Sequence, residues 1–312
     1  MMMNGRTDKP IYYQSVTGVS HARKNIPCQD ASGVFVSSDG TFRIGVVADG
    51  HGDHTCMRSE LGSRIAVSTT TECLKEFGRQ YSEYSTLLEC YPGEYGIQQA
   101  LQQLFDSISC FWSEQVLEDY QKHPLTEEER ADAGKLLPHY EQGEHLERIY
   151  GTTLVAALEA EDYVLLLQQG DGRCDLLFDD GSMAQPIAED KRCYANVTSS
   201  LSDSDVVRRM RGYLIRGKNH KLIACFVGTD GLDNAFYEDD ELYAFYMRMI
   251  IELAACNGYK ETSECLGNML KNVSINGNGD DVSIAGLIAS EGAVEFAKEA
   301  LAEKRMEANY VL

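Results

Sequence analysis

Proline is scarce, with 6 in 312 residues, and glycine follows no repeat. Collagen-like and proline-rich architectures are therefore excluded. Long apolar runs are missing too. The longest run of Val, Leu and Ile, residues 164–167, falls far short of the roughly 18–20 residues that cross a bilayer. The opening MMMNGRTDKP has no apolar stretch of signal-peptide type. Of the 10 cysteines no two stand in CxxC spacing, which argues against a structural zinc site and a thioredoxin-like motif. Scattered thiols without an export signal are expected to stay reduced, in a cytoplasmic protein. Basic residues are outnumbered, 28 Lys and Arg against 49 Asp and Glu, for a net charge of −21. A field of that sign repels phosphate backbones and argues against nucleic-acid partners.

What is present is an ordinary globular composition, 43% hydrophobic and 25% charged, rich enough in apolar side chains to build a sizeable core. Strand-like runs occupy 11–18, 33–37, 42–48, 152–158, 163–168, 174–178, 221–228 and 282–289. Ser38-Asp39-Gly40 and residues 159–162 read as hairpin turns. Helical periodicity covers 57–77, 97–120, 240–256, 262–272 and 291–306. In the second of these, Ile97, Leu101, Leu104, Phe105, Ile108, Phe111, Trp112 and Val116 recur at 3–4 spacing. Antiparallel hairpins separated by blocks of helices predict an α+β fold with segregated layers. Residues 121–148 read as a polar surface insertion, partly helical, with Glu127-Glu128-Glu129 as a solvated face. No linker or repeat divides the chain, so residues 1–312 are expected to form one domain, with a catalytic body over about 12–289.

Four stretches share a pattern in which an Asp with small neighbours stands at a strand end. They are Asp49-Gly50-His51-Gly52, Gly170-Asp171-Gly172, Thr229-Asp230-Gly231 and Gly279-Asp280-Asp281. A single strand-end Asp is usually a turn residue. Four of them, with Asp30, point to a shared cation site, because clustered carboxylates repel unless protonated or bridged. Oxygen donors without paired His or Cys suit Mg²⁺ or Mn²⁺. Two such ions can generate a hydroxide and clamp a phosphoryl group. His51, two residues beyond Asp49, is placed to protonate a leaving oxygen.

These motifs, together with Gly151-Thr152-Thr153, Ser20-His21 and Cys28-Gln29-Asp30-Ala31, resemble in order and spacing the metal-dependent (type 2C) Ser/Thr protein phosphatase family, bacterial branch. The resemblance spans residues 12–289. It implies a four-layer αββα sandwich, two antiparallel β-sheets flanked by helices, with metals at one end. It also implies that Asp49 bridges two Mg²⁺ or Mn²⁺ ions, with Gly50 lending its carbonyl and Asp230 and Asp280 completing the set. Asp30 would act on bound water, Asp171 resembles the aspartate of a third ion, and Arg23 or Lys24 is the candidate phosphate ligand. The chain departs from the pattern at Asp53 and Gly172, where the family usually has Gly and Ser, and at Asp233-Asn234, where it often has Trp-Asp.

One basic segment stands apart. Over 191–221, Lys191, Arg192, Arg208, Arg209, Arg211, Arg216, Lys218 and Lys221 face only Asp203 and Asp205, a balance of 8 − 2 = +6. It corresponds to a flap beside the family's active site. Its charges, Arg208, Arg209 and Arg211 above all, either guide an acidic or phosphorylated substrate or form a solvated face. The expectation is a phosphatase acting on phosphoSer and phosphoThr of protein partners, without a covalent intermediate and without use of its cysteines. The alternatives are a non-catalytic phosphoprotein-binding module and a hydrolase of small phosphate esters.

Overall fold

The computed structural model describes residues 10–193, 197–216, 221–289 and 292–310, the last eight of these as backbone only. Among the described residues there are ten strands: β1 (Ile11–Val16), β2 (Ala31–Val36), β3 (Arg43–Ala48), β4 (Leu154–Glu159), β5 (Tyr163–Gln169), β6 (Arg173–Phe178), β7 (Met183–Ala184), β8 (Arg211–Arg216), β9 (Leu222–Gly228) and β10 (Val282–Ile288). Eleven helices are α1 (Val19–Lys24), α2 (Ser59–Gln80), α3 (Tyr84–Cys90), α4 (Gly93–Lys122), α5 (Glu127–Ala133), α6 (Leu137–Glu141), α7 (Val206–Arg209), α8 (Asp230–Asp233), α9 (Asp239–Ala254), α10 (Tyr259–Asn276) and α11 (Ala293–Tyr310).

The fold is α+β. One sheet has the order β1-β10-β9-β6-β7 and the other β2-β3-β4-β5-β8. All pairs are antiparallel. The period-2 alternation of side chains sorts each strand between two neighbours. In β3 and β4, Ile44, Val46, Ala48, Leu154, Ala156 and Leu158 pack on a cluster with α2 and α4. The intervening Val47, Val155 and Ala157 instead meet Cys225, Val227, Ala285 and Leu287 of the facing sheet. The outer face of that second sheet packs on α9, α10 and α11. Strands covered on both sides carry apolar residues at nearly every position, which is why they read as short continuous runs.

Both expected hairpins form. Gly40 takes φ 74 in the β2–β3 turn, and Ala160 N–H donates to the Tyr163 carbonyl at 2.9 Å in the β4–β5 turn. Helix α4 buries Ile97, Leu101, Leu104, Phe105, Ile108, Trp112 and Val116. Phe111, expected on the same stripe, is exposed. It lies at the stripe's edge, where wheel angle alone does not decide burial.

Three readings need correction. The run 11–18 ends as a strand at Val16, and Gly18 caps a short helix that the sequence reading passed over. Residues 121–148 are not wholly a surface feature, because Ala133, Tyr140 and Leu146 are buried. Arg58 grips this segment through Glu129 at 2.6 and 3.0 Å, so Glu129 leaves the solvated acidic face. The basic segment 191–221 holds α7 and the edge strand β8, paired with β5. Lys218 lies outside the described residues.

Candidate metal centre

Strand register brings the aspartates to one end. Ala31 pairs with Ala48, so Asp30, just before β2, and Asp49, just after β3, become neighbours. Arg173 pairs with Gly228, which sets the Asp171 turn beside Asp230 at the start of α8. Gly228 also pairs with Ile284, which brings in Asp280 ahead of β10. Asp49, Asp171, Asp230 and Asp280 line one cavity of about 1580 Å³ with Gly50 and His51. Asp30 is buried beneath it.

The loop after β3 is held by its backbone. Asp49 N–H donates to Thr153 Oγ1 at 3.0 Å, and the Asp49 carbonyl accepts from Thr152 Oγ1 and Thr153 N–H, both at 2.8 Å. Gly50 N–H donates to the Gln29 carbonyl at 3.1 Å. A Cβ at Gly50 would stand 2.6 Å from that carbonyl oxygen and 2.7 Å from the carbonyl oxygen of Ser59, so only glycine fits. His51 N–H bonds the Gly151 carbonyl at 3.0 Å, and the ring lies where a Cβ on Gly151 would come within 2.8 Å of Cδ2.

The charges are mutually unfavourable. Asp49 is pushed well above the usual carboxylate range, first by burial and then by Asp30 and Asp230. Asp30 rises to about 8 through burial, although the Thr229 hydroxyl opposes the rise; it donates to Asp30 Oδ2 at 2.8 Å. Asp230 rises to about 6, again chiefly by burial. Burial lowers His51, against the pull of Asp171. Asp230 Oδ1 and His51 Nε2 are among the buried atoms that have no hydrogen-bond partner among the described residues. A buried carboxylate oxygen without a donor is costly, and a cation relieves it.

Among the described residues no three His, Cys, Asp or Glu side chains close around one point. The aspartates that line the cavity offer oxygen donors, the kind that hard cations such as Mg²⁺ and Mn²⁺ take. The donor set and the orphaned Asp230 oxygen therefore fit hard divalent cations.

Several residues hold this geometry without having been assigned a role from sequence. Asp281 is buried and accepts from Gly18 N–H and Gln29 N–H, each at 2.6 Å. His21 Nδ1 lies 3.1 Å from its Oδ2. The adjacency of two aspartates was the only signal, and it did not say which one faces the cavity. Thr198 Oγ1 donates to Asp171. Arg173 bonds Asp175 at 3.0 and 2.8 Å, Asp233 at 2.9 Å and Asp239 at 2.7 Å, locking α8 and α9 to β6.

The departures from the resemblance have local causes. Asp53 accepts from Thr55 N–H at 2.7 Å and from its hydroxyl at 2.5 Å. Gly172 has no room for a Cβ, which would meet Val155 Cγ2 at 2.5 Å and the Gly228 carbonyl oxygen at 2.8 Å. Asp233 is spent on Arg173.

The basic candidates separate. Arg23 and Lys24 are exposed on α1 and stand outside the cavity lining, whereas the neighbouring His21 lies within it. Arg209 pairs with Asp203 at 3.2 Å and Asp205 at 2.6 Å. Arg211 donates to the Ala188 carbonyl and, at 2.7 Å, to that of Gly170. Only Arg208 of the three lines the cavity. Much of the segment's positive charge is thus neutralised or used to hold backbone, because long side chains beside turns find local acceptors. All ten cysteines are free thiols. Cys28 Sγ lies 3.6 Å from the Asp30 carbonyl oxygen, and Cys56 lines the cavity.

The chain matches the family profile described as protein phosphatase 2C over residues 17–271. It is 24% identical over 265 residues to Serine/threonine-protein phosphatase 3 of Escherichia coli strain K12, covering 84% of this chain and 88% of that one. Among solved structures, it is similar in fold to a bacterial serine phosphatase (TM-score 0.53, 16% identity, 90% of this chain and 98% of that one). A second is the catalytic domain of the serine threonine protein phosphatase PstP, solved with two manganese ions (TM-score 0.51, 16% identity, 90% and 99%). A third is the phosphatase Stp1 from Staphylococcus aureus (TM-score 0.51, 17% identity, 93% and 98%).

Proposed function

This chain belongs to the protein phosphatase 2C family, and from that premise we propose that it hydrolyses phosphoserine and phosphothreonine on protein substrates with two Mg²⁺ or Mn²⁺ ions. The observation that carries the proposal is the convergence of Asp49, Asp171, Asp230 and Asp280 on one cavity beside a partnerless Asp230 oxygen. Asp49, Asp230 and Asp280 would hold the ions with the Gly50 carbonyl, and Asp171 would serve a third. When bound, the ions supply Lewis acidity, activating water at neutral pH and neutralising charge on the phosphoryl group.

The chain's own residues do the rest. Asp30, whose Oδ2 accepts from the Thr229 hydroxyl, would act on water at the carboxylates. His51 holds its Nε2 free, the atom needed to give a proton to the leaving serine or threonine oxygen. The Thr152, Thr153 and Gly151 contacts fix the Asp49–His51 loop, so that acid and carboxylates keep one relative position. The free thiols support a cytoplasmic setting, and no helix among the described residues is long and apolar enough to cross a membrane. We read the whole chain as one functional unit.

The test is turnover of p-nitrophenyl phosphate and a phosphothreonine peptide with Mn²⁺, with Mg²⁺ and with EDTA, beside Asp49→Asn. Metal-dependent turnover of both, lost in the variant, is expected. A folded chain that binds the peptide without turning it over would replace this reading by a phosphoprotein-binding module. Turnover of small esters alone would replace it by an esterase.

A further inference from the structure

Eight acidic side chains line the cavity, Asp53, Glu147, Asp203 and Asp205 among them, against two arginines, Arg148 and Arg208. Among the described residues these two are the only fixed full positive charges that line the cavity. Arg148 sits in the short 3-10 turn Leu146–Tyr150 that closes the insertion, and Arg208 sits in α7. Both are exposed.

Among the described residues neither guanidinium is paired with a carboxylate. Arg148 donates through Nε to Thr55 Oγ1 at 3.2 Å, and its two terminal nitrogens have no partner among the described residues. The Arg208 guanidinium likewise has none among them. Their neighbours Arg192 and Arg209 are paired with aspartates. Arginines left unpaired in an acidic cavity resemble a waiting receptor for an anion, because their planar forks match a carboxylate or phosphate in bidentate fashion.

The wall that carries Arg148 is preformed. Arg58 grips Glu129 twice and donates to the His123 carbonyl at 2.7 Å and Tyr150 Oη at 3.0 Å. Thr126 and Glu129 form a capping box at α5. Ser113 Oγ donates to Glu147 at 2.9 Å. Little ordering would remain to be done on binding. Arg148 and His51 line the same cavity. If His51 serves the leaving oxygen, a group beside it on this wall meets the peptide rather than the phosphoryl group.

Resting on the phosphatase reading, we propose that Arg148 and Arg208 form an anion subsite that selects phosphoproteins carrying an acidic side chain close to the phosphorylated residue. Arg148 belongs to the insertion and was not singled out by any motif. The subsite would make substrate choice a property of the segment 121–148 and of α7 together.

The experiment compares three phosphothreonine peptides with acidic, neutral and basic flanks. KM and kcat are measured with Mn²⁺, and fluorescence anisotropy of the same peptides is read in EDTA, where metal-dependent turnover stops. The wild-type chain should favour the acidic peptide over the neutral one by about three- to tenfold in KM, the range of one or two partly exposed charge-assisted contacts. The preference should shrink with added salt. Arg148→Ala and Arg208→Ala should each reduce it, Arg148→Glu should invert it towards the basic peptide, and Arg148→Lys should keep part of it. An equal rise in KM for all three peptides in Arg148→Ala would assign the arginine to the scissile phosphate and overturn the subsite. A wild-type preference for neutral or basic flanks would also overturn it. No turnover of any substrate, with the anisotropy preference intact, would sink the phosphatase reading and leave the subsite standing. Loss of both would sink the two together.

Discussion

Gln29 N–H donates to Asp281 Oδ2 at 2.6 Å across 252 residues of chain. The other oxygen of the same carboxylate takes Gly18 N–H at 2.6 Å. One buried side chain therefore pins both the loop that carries Asp30 and the entry to α1 against the residue next to Asp280. Asp281→Asn keeps the shape but turns one acceptor into a donor facing an N–H. A loss of about 1–3 kcal/mol is expected, seen as a fall in thermal midpoint of a few degrees. Mn²⁺ affinity by calorimetry should fall with it, since Asp30 and Asp280 both shift. An unchanged midpoint would show that the tether is not needed.

Arg58 ties the insertion to α2 through Glu129 and the His123 carbonyl, and also bonds Asp119 of α4 and Tyr150. Both partners in the Glu129 pair are mostly buried, with side-chain exposures of 11% and 18%. Breaking such a pair leaves an uncompensated charge, so Arg58→Ala should cost about 2–4 kcal/mol by urea denaturation. Hydrogen exchange should speed up over residues 124–150 first. Arg58→Lys should recover only part, because an ammonium cannot make the fork.

Gly62 lies inside α2, where helix propensity alone would favour alanine by up to about 1 kcal/mol. Packing reverses the sign. A Cβ at this position would stand 1.9 Å from the Tyr150 carbonyl oxygen. Gly62→Ala should therefore destabilise the chain by about 1–3 kcal/mol and disturb Gly151, the acceptor for His51 N–H. A gain in thermal midpoint would contradict the close approach of α2 to residue 150.

Arg192 bonds Asp190 through Nε at 2.8 Å and Nη2 at 2.7 Å and holds its carboxyl down to about 2, below the usual 3.8. A depressed folded value means that the stabilisation is complete above the unfolded value, near pH 4. It is lost as pH falls through 2. The stability gap between the wild-type chain and Asp190→Asn, open at pH 7, should therefore narrow between pH 4 and pH 2. Urea titrations at pH 7, 4 and 3 measure it, and a gap independent of pH would rule the pair out as its source.

The sequence by itself determined the α+β class, most strands and the longer helices, because two-sided burial writes apolar runs and one-sided burial writes a 3.6-residue stripe. It also marked Asp30, Asp49, Asp171, Asp230 and Asp280, because a carboxylate beside glycine at a strand end is local information. Tertiary structure alone decided the rest. Strand β8 stayed hidden because Arg211-Gly212-Tyr213 carries half-buried and exposed residues at a sheet edge, where pairing is supplied by β5. Phe111 shared its neighbours' spacing and still faced water. Which basic residue meets the cavity was undecidable from charge counts, since folding brings partners to Arg209 and Arg211, while Arg148 and Arg208 have no carboxylate partner among the described residues. Hydrogen bonds such as that of Asp281 with Gln29 join chain segments hundreds of residues apart, and no local pattern encodes a partner at that distance.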